Sequence, residues 1–291
     1  MSFSSICRFV LLGAIWGASF LFMRILAPEV GALWTAESRL AIGALVLVLY
    51  LQTRNISLNL EHWRHYAVVG FLNCAVPFSM FGLAGKLLPA GYSAVLNSSV
   101  PLWAIIFAVW AFNESITKTR AIALLLGVVG VAFVAQPTTD VQMGWLFMVG
   151  VGACLLASAC YALSGIYLKK YTSGLKPQAI ATMSQAFGAL MLLPLALLSG
   201  LPSVISVEAA VSGVLLGVFC SGIAFLLYYR LLEDEGILLA SGVTFLVPLF
   251  GIFWGAMLLH ERLGWPVFVG CGLIIGAAYL LYRSNRVMVK Q

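Results

Sequence analysis

Asn97–Glu114 reads NSSVPLWAIIFAVWAFNE: a Pro inside an apolar run, with a Glu thirteen residues later at its end. The chain contains this arrangement twice. Thr244–Glu261 reads TFLVPLFGIFWGAMLLHE, and Pro101/Glu114 and Pro248/Glu261 are each displaced by 147 residues in a chain of 291. Other landmarks follow in the same order. Gly43-Ala44-Leu45 is echoed by Gly188-Ala189-Leu190, Lys86-Leu87-Leu88 by Arg230-Leu231-Leu232, and Arg24 by Lys169, at displacements of 144 or 145. Apolar helices share letters by chance, but several landmarks in constant order and spacing point to a duplicated unit.

The composition says where such a unit lives. Apolar residues make up 62% of the chain and charged residues 9%, against about half and a quarter in soluble domains. The apolar segments are long and continuous, so helices are expected rather than the alternating strands of an outer-membrane barrel. Ten spans fit, at 7–27, 33–52, 64–85, 92–112, 119–136, 143–168, 177–199, 209–230, 237–259 and 265–282, each near the roughly 20 residues that a bilayer core requires. The N-terminal run continues through Phe22 without a clear small-residue cleavage site, so it reads as a retained first helix.

Lys and Arg set the orientation. With the N-terminus in the cytoplasm, twelve of them fall inside and three (Arg24, Lys86, Arg262) outside, with Arg39 left out because it lies within a span. The net charge of +6 therefore belongs to topology, and nucleic acid is not an expected partner: no basic stripe carries interleaved aromatics. Five spans per unit is an odd number, so two copies at 1–140 and 141–291 must insert with opposite orientation. The expected fold is all-α and integral to the membrane, ten transmembrane helices in two inverted five-helix repeats with both termini cytoplasmic.

Candidate site residues follow from polarity inside spans. A mid-helix Pro leaves the carbonyl four residues back unpaired. Pro101 would free that of Asn97 and Pro248 that of Thr244, and Pro77 stands four residues from Asn73 on one helix face. Each Pro is either an ordinary kink or a bending point in a cavity wall. Candidate substrate-binding residues are Asn73, Ser79, Tyr92, Asn97, Ser98, Trp103, Tyr228, Thr244 and Trp254, with Pro77, Pro101 and Pro248 as hinges. Amide, hydroxyl and aromatic groups together suit a small organic molecule with polar ends. Taken singly, each Ser or Thr serves equally well in helix packing. Glu37 and Arg39 are the charges well inside a span, candidates for proton coupling or charge pairing; Glu37 is also explained if span two begins later and leaves it near the outer interface. Glu114 and Glu261 read best as acidic groups at the starts of spans five and ten, complementing the helix dipoles there.

Several classes are excluded or unsupported. The six Cys lie within apolar segments and read as small buried hydrophobes. The three His sit at span ends and form no metal set. There is no GxSxG, HExxH or Walker loop. No enzyme activity, metal or cofactor is expected. The expected partners are a small-molecule substrate and the lipid bilayer, and the expected state is a monomer or weak homodimer.

WGASF in the first helix (Trp16–Phe20), the basic position at Arg39, and the doubled block VPLWAIIFAVWAFNESIT and VPLFGIFWGAMLLHERLG resemble the drug/metabolite transporter superfamily, EamA branch. The resemblance covers essentially the whole chain. It implies an exporter of amino acids or other metabolites in a bacterial cytoplasmic membrane, with a central cavity built from spans three, four, eight and nine. Some members export aromatic amino acids, which would suit Trp103, Tyr228 and Trp254. The chain departs from symmetry at one point: Asn97-Ser98-Ser99 in the first half faces Thr244-Phe245-Leu246 in the second. Alternatives are a carrier of nucleotide sugars or lipophilic cations, or a membrane protein that moves no solute. Phosphate-bearing substrates would want several cavity cations, and only Arg39 qualifies.

Overall fold

In the hydrocarbon core no water is present to pair with backbone N–H and C=O groups, so each apolar segment closes its own hydrogen bonds as a helix. The computed structural model describes residues 2–54, 56, 58, 60–112, 116–136, 144–172, 174–236, 240 and 242–288, with side chains through 281. We name the helices α1 (Phe3–Thr53), α2 (Leu60–Leu87), α3 (Ala90–Phe112), α4 (Lys118–Val134), α5 (Trp145–Tyr171), α6 (Pro177–Leu198), α7 (Val207–Glu235), α8 (Gly242–Leu258) and α9 (Trp265–Met288). Among the described residues there is no strand. Six of these helices are long and apolar enough to cross a membrane, and α8 and the 265–281 part of α9 are shorter apolar helices. The chain is a multi-pass membrane protein.

A straight α1 would be about 77 Å long, more than twice a bilayer core. It does not run straight. Pro28 lies within it, and Gly31 takes φ 84, ψ 166, a conformation that glycine adopts without a side-chain clash. The two arms, 3–30 and 32–53, match the first two expected spans.

Four further irregularities interrupt the helices. Phe71–Ala75 in α2 and Leu216–Ile223 in α7 are wide, π-helical turns. They begin at Phe71 and Leu216, 145 positions apart, the same displacement as the sequence landmarks. In α3, the helix stops at Asn97 and restarts at Val100, with Ser98 and Ser99 in a turn. α8 opens with a tight 3-10 turn, Gly242–Phe245, before an α-helix from Val247. Pro101 and Pro248 therefore do not sit inside continuous helices. Each stands in the first turn of a new segment, where its missing N–H would be unpaired in any case.

The two arms of α1 run through the middle of the molecule and pack on α2, α6, α7 and α8. α4 and α9 pack on each other, and α5 lies against α2 and α3. Small residues let the backbones approach, as expected where helices meet in lipid. At the crossing of α1, α3 and α8, a methyl group at Gly17 would stand 2.6 Å from Phe250 Cβ, and one at Gly251 would collide with Ala94. The main buried cluster joins Phe20 and Met23 of α1, Phe81 of α2 and Leu88 just after it, Tyr92 and Leu96 of α3, Phe147 and Val151 of α5 and Leu216 and Cys220 of α7. Trp63, Trp145 and Trp265 begin helices and are exposed, as interfacial anchors would be.

Candidate functional site

Arg39 lies on the second arm of α1 with 6% of its surface exposed. Its Nε donates to Ser221 Oγ at 2.7 Å, and its Cζ stands 3.8 Å from the centre of the Phe78 ring. Nη1 approaches Met23 Sδ at 3.8 Å, a weak contact. Ser221 belongs to the wide turn of α7, and Phe78 follows the wide turn of α2 by one helical turn. Gln185 of α6 donates from Nε2 to the Ser221 carbonyl at 3.0 Å, and its own Oε1 is buried without a hydrogen-bond partner. Tyr161 of α5 packs against the buried cluster of Leu40, Cys74 and Phe78 and stacks on Phe81. The centre is thus built from α1, α2, α5, α6 and α7, on both sides of the chain midpoint. Among the described residues no carboxylate lies within ion-pair distance of Arg39.

Glu37, two residues away, is 6% exposed, and its Oε2 is buried with no hydrogen-bond partner. Two residues along a helix turn a side chain by about 200°, so Glu37 and Arg39 occupy different faces.

The other expected site residues are placed as follows. Asn73 lies in the wide turn of α2 and is half-buried, and Pro77 is buried just beyond it. Ser79 is buried and donates to the Ala75 carbonyl of its own helix at 2.8 Å. Tyr92 is fully buried, its ring edge-on to Phe147. Asn97 ends the first segment of α3 with its Oδ1 buried and unpartnered, and Ser98 donates weakly to Ala94 O at 3.4 Å. Trp103 is half-buried and stacks on Phe107. Tyr228 is half-buried with its ring 5.6 Å from Trp16. Thr244 is exposed. Trp254 donates from Nε1 to Ala14 O at 3.0 Å and lines an apolar cleft of about 290 Å³ together with Ile15, Phe22 and Phe219. No hydrogen bond or ring contact among the described residues joins Asn97, Trp103 and Trp254 to one another. Sequence reasoning missed Gln185 and Tyr161. An amide in the middle of an apolar span was the available signal for Gln185.

The Glu of the second block corrects an expectation. Glu261 does not serve the start of α9. Its Oε1 accepts from Ala90 N at 2.7 Å and its Oε2 from Gly91 N at 3.2 Å, so it caps α3, in the other half of the chain. Burial raises its carboxyl above the ordinary range, against the pull of those two amides. Glu114 lies outside the described residues. Other contacts at helix ends also tie distant segments together: Arg8 pairs with Asp234, Glu29 accepts from Ser206 N at 2.8 Å, and His65 Nδ1 meets Tyr167 Oη at 2.8 Å.

A family model for EamA-like transporters matches residues 3–136 and again residues 148–283. The chain belongs to the EamA-like transporter family. Among curated members, the uncharacterized transporter YvbV of Bacillus subtilis (strain 168) is 26% identical over 276 residues, covering 94% of this chain and 89% of YvbV. YoaV of the same organism, also named an uncharacterized transporter, is 23% identical over 89% of this chain and 90% of its own length. Protein PecM of Dickeya dadantii (strain 3937) is 24% identical over 92% of this chain and 88% of PecM. A solved crystal structure superposes with a TM-score of 0.64 at 18% identity, covering 99% of both chains, so the same fold occurs in a protein of quite different sequence. These relatives are named as transporters rather than enzymes where a role is given, and this EamA-like chain is a membrane transporter, not an enzyme.

Proposed function

We propose that this chain exports amino acids or similar small metabolites across a bacterial cytoplasmic membrane by alternating access. Its helices form ten spans in two inverted five-helix repeats, 1–140 and 141–291. The observation that carries this is the pair of wide turns in α2 and α7, 145 positions apart, the second of which holds Ser221 against the buried Arg39 and Gln185. Irregular backbone at membrane depth is tolerated where it is buried in protein or lines a cavity. Interrupted helices in corresponding positions of two repeats point to a binding site between them. Wide turns inside helices also occur disproportionately at functional sites.

Three further observations support the reading. With the N-terminus inside, the contacts Arg8–Asp234 and His65–Tyr167 each join two cytoplasmic ends, and Glu29–Ser206 and Glu261–Ala90 each join two outer ends. The cap from Glu261 onto α3 joins the two repeats. And α1 and α2 are tied at their outer ends: Arg24 Nη1 donates to Gly85 O at 3.0 Å and Lys86 O at 3.1 Å, where the two helices pack. Among the described residues, the counterpart pair in the second repeat, α5 with α7, has no comparable packing. An outer contact without a counterpart in the second repeat is the kind of asymmetry that one state of an alternating-access cycle has. Asn97, with its buried unpartnered Oδ1, and Trp103 stand beside the break in α3, and Tyr228 beside Trp16, as candidate linings of the path.

The test is counterflow into liposomes holding the purified protein, with a labelled mixture of L-amino acids. Saturable uptake that empty liposomes lack is expected. Absence of saturable flux for every amino acid would overturn the substrate class.

A further inference from the structure

We propose that Arg39 binds a carboxylate of the transported molecule, so that the substrate is a monoanion or a zwitterion anchored end-on by the guanidinium fork. This deepens the transporter reading above and rests on it.

Arginine keeps its charge in any protein environment, and a charge inside a membrane protein is costly, so it pairs with another group or faces a cavity and marks a substrate or ion path. Arg39 has no protein carboxylate within ion-pair distance among the described residues. Its surroundings satisfy only part of it. Nε is taken by Ser221 Oγ, and one face of the plane is covered by Phe78. Nη1 meets only a thioether sulfur at 3.8 Å, and no acceptor among the described residues bonds Nη2. The two terminal nitrogens therefore present the edge that a carboxylate engages through two parallel bonds. Ser221 and Phe78 hold that edge rigid, which reduces the ordering that binding requires. The position suits a substrate group, because the helices that hold Arg39 are those interrupted by the wide turns of both repeats.

The charge count selects the anion. Among described Lys and Arg residues, only Arg39 and Arg120 are buried, and Arg120 lies in the first turn of α4, at a helix end. One interior cation balances one negative charge. A phosphate dianion would leave excess charge in the membrane interior.

The experiment measures the thermal midpoint of the purified full-length protein in detergent, titrated with sodium phenylacetate and with its neutral isostere phenylacetamide at constant ionic strength. Sodium chloride serves as the control anion. Phenylacetate should raise the midpoint with concentration, as any ligand of the folded state does, while phenylacetamide and chloride should not. Arg39→Gln should abolish the acid preference. Arg39→Lys, which keeps the charge and loses the fork, should bind phenylacetate about 10- to 100-fold more weakly, the range for losing one hydrogen bond to a charged group. The acid–amide comparison is made on the wild-type protein, so it stands even if a variant fails to fold. Equal protection by acid and amide, equal protection by chloride, no protection by the acid, or an acid preference retained in Arg39→Gln would each overturn the proposal. Protection by phenylacetate together with absent amino-acid counterflow would leave the carboxylate site standing and sink the amino-acid assignment.

Discussion

Replacing Glu261 should loosen the start of α3, 171 residues away in sequence, and the structure sets the size of the effect. The first N–H groups of a helix have no acceptor within it. α3 opens after Pro89, whose side chain cannot cap, and Glu261 supplies the acceptors from the other half of the chain. Hydrogen bonds to a charged group contribute about 1.5–3 kcal/mol each in a net sense. The two bonds here are only part-buried, at 2.7 and 3.2 Å, so water recovers some of the loss. Glu261→Ala should therefore destabilise by about 2–4 kcal/mol, and Glu261→Gln, which keeps one neutral acceptor, by about 1–2 kcal/mol. At about 2–4 °C per kcal/mol, the slope for chains of roughly 150–250 residues, the thermal midpoint should fall by roughly 4–16 °C for Ala and by about half that for Gln. Intrinsic tryptophan fluorescence of the purified protein in one fixed detergent reads this directly, with Glu208→Ala as an exposed acidic control. If both Glu261 variants melt within about 1 °C of wild type, a margin well below the effect of a single lost cap, the cross-half cap contributes nothing and the reasoning fails.

Two further outcomes are expected. Gly251→Leu should drive a side chain into Ala94 at the crossing of α1, α3 and α8, destabilising by about 1–3 kcal/mol or more and lowering the yield of monodisperse protein; a variant as stable as wild type would contradict the tight crossing. Glu37→Gln should leave counterflow intact but remove any response of flux to an imposed pH gradient, since the unpartnered buried carboxylate is the candidate coupling group; an unchanged response in the variant would assign Glu37 a structural role.

The positions of the helices were legible because lipid forces every apolar segment to satisfy its own backbone, which ties hydropathy to structure more tightly than in water. The expected spans 177–199 and 265–282 agree with α6 and α9 at their starts. Pro101 and Pro248 marked the irregular places, because a residue without an N–H is informative wherever it stands. The exact form was not legible: the proline does not bend a continuous helix but opens a new segment after a turn. The wide turns at 71 and 216 were invisible, since an extra residue per turn leaves no mark in the pattern of a largely apolar segment. Arg39 was visible as a charge in a span, but Ser221, Gln185 and Phe78 became its neighbours only through tertiary packing. Glu261 shows the same limit. Its place just before α9 suggested the nearest helix dipole, and the fold delivered it to α3 instead.

The central claim is that the outer contact between α1 and α2 opens in every transport cycle. Arg24 and Lys86 report on it, since the Arg24 side chain donates to Lys86 O at 3.1 Å. With the six native cysteines replaced, Arg24→Cys and Lys86→Cys can be joined by a short, reducible thiol cross-linker in the liposome counterflow assay. Alternating access predicts that joining them stops flux and that reduction restores it. Full flux through completely cross-linked protein would contradict the account.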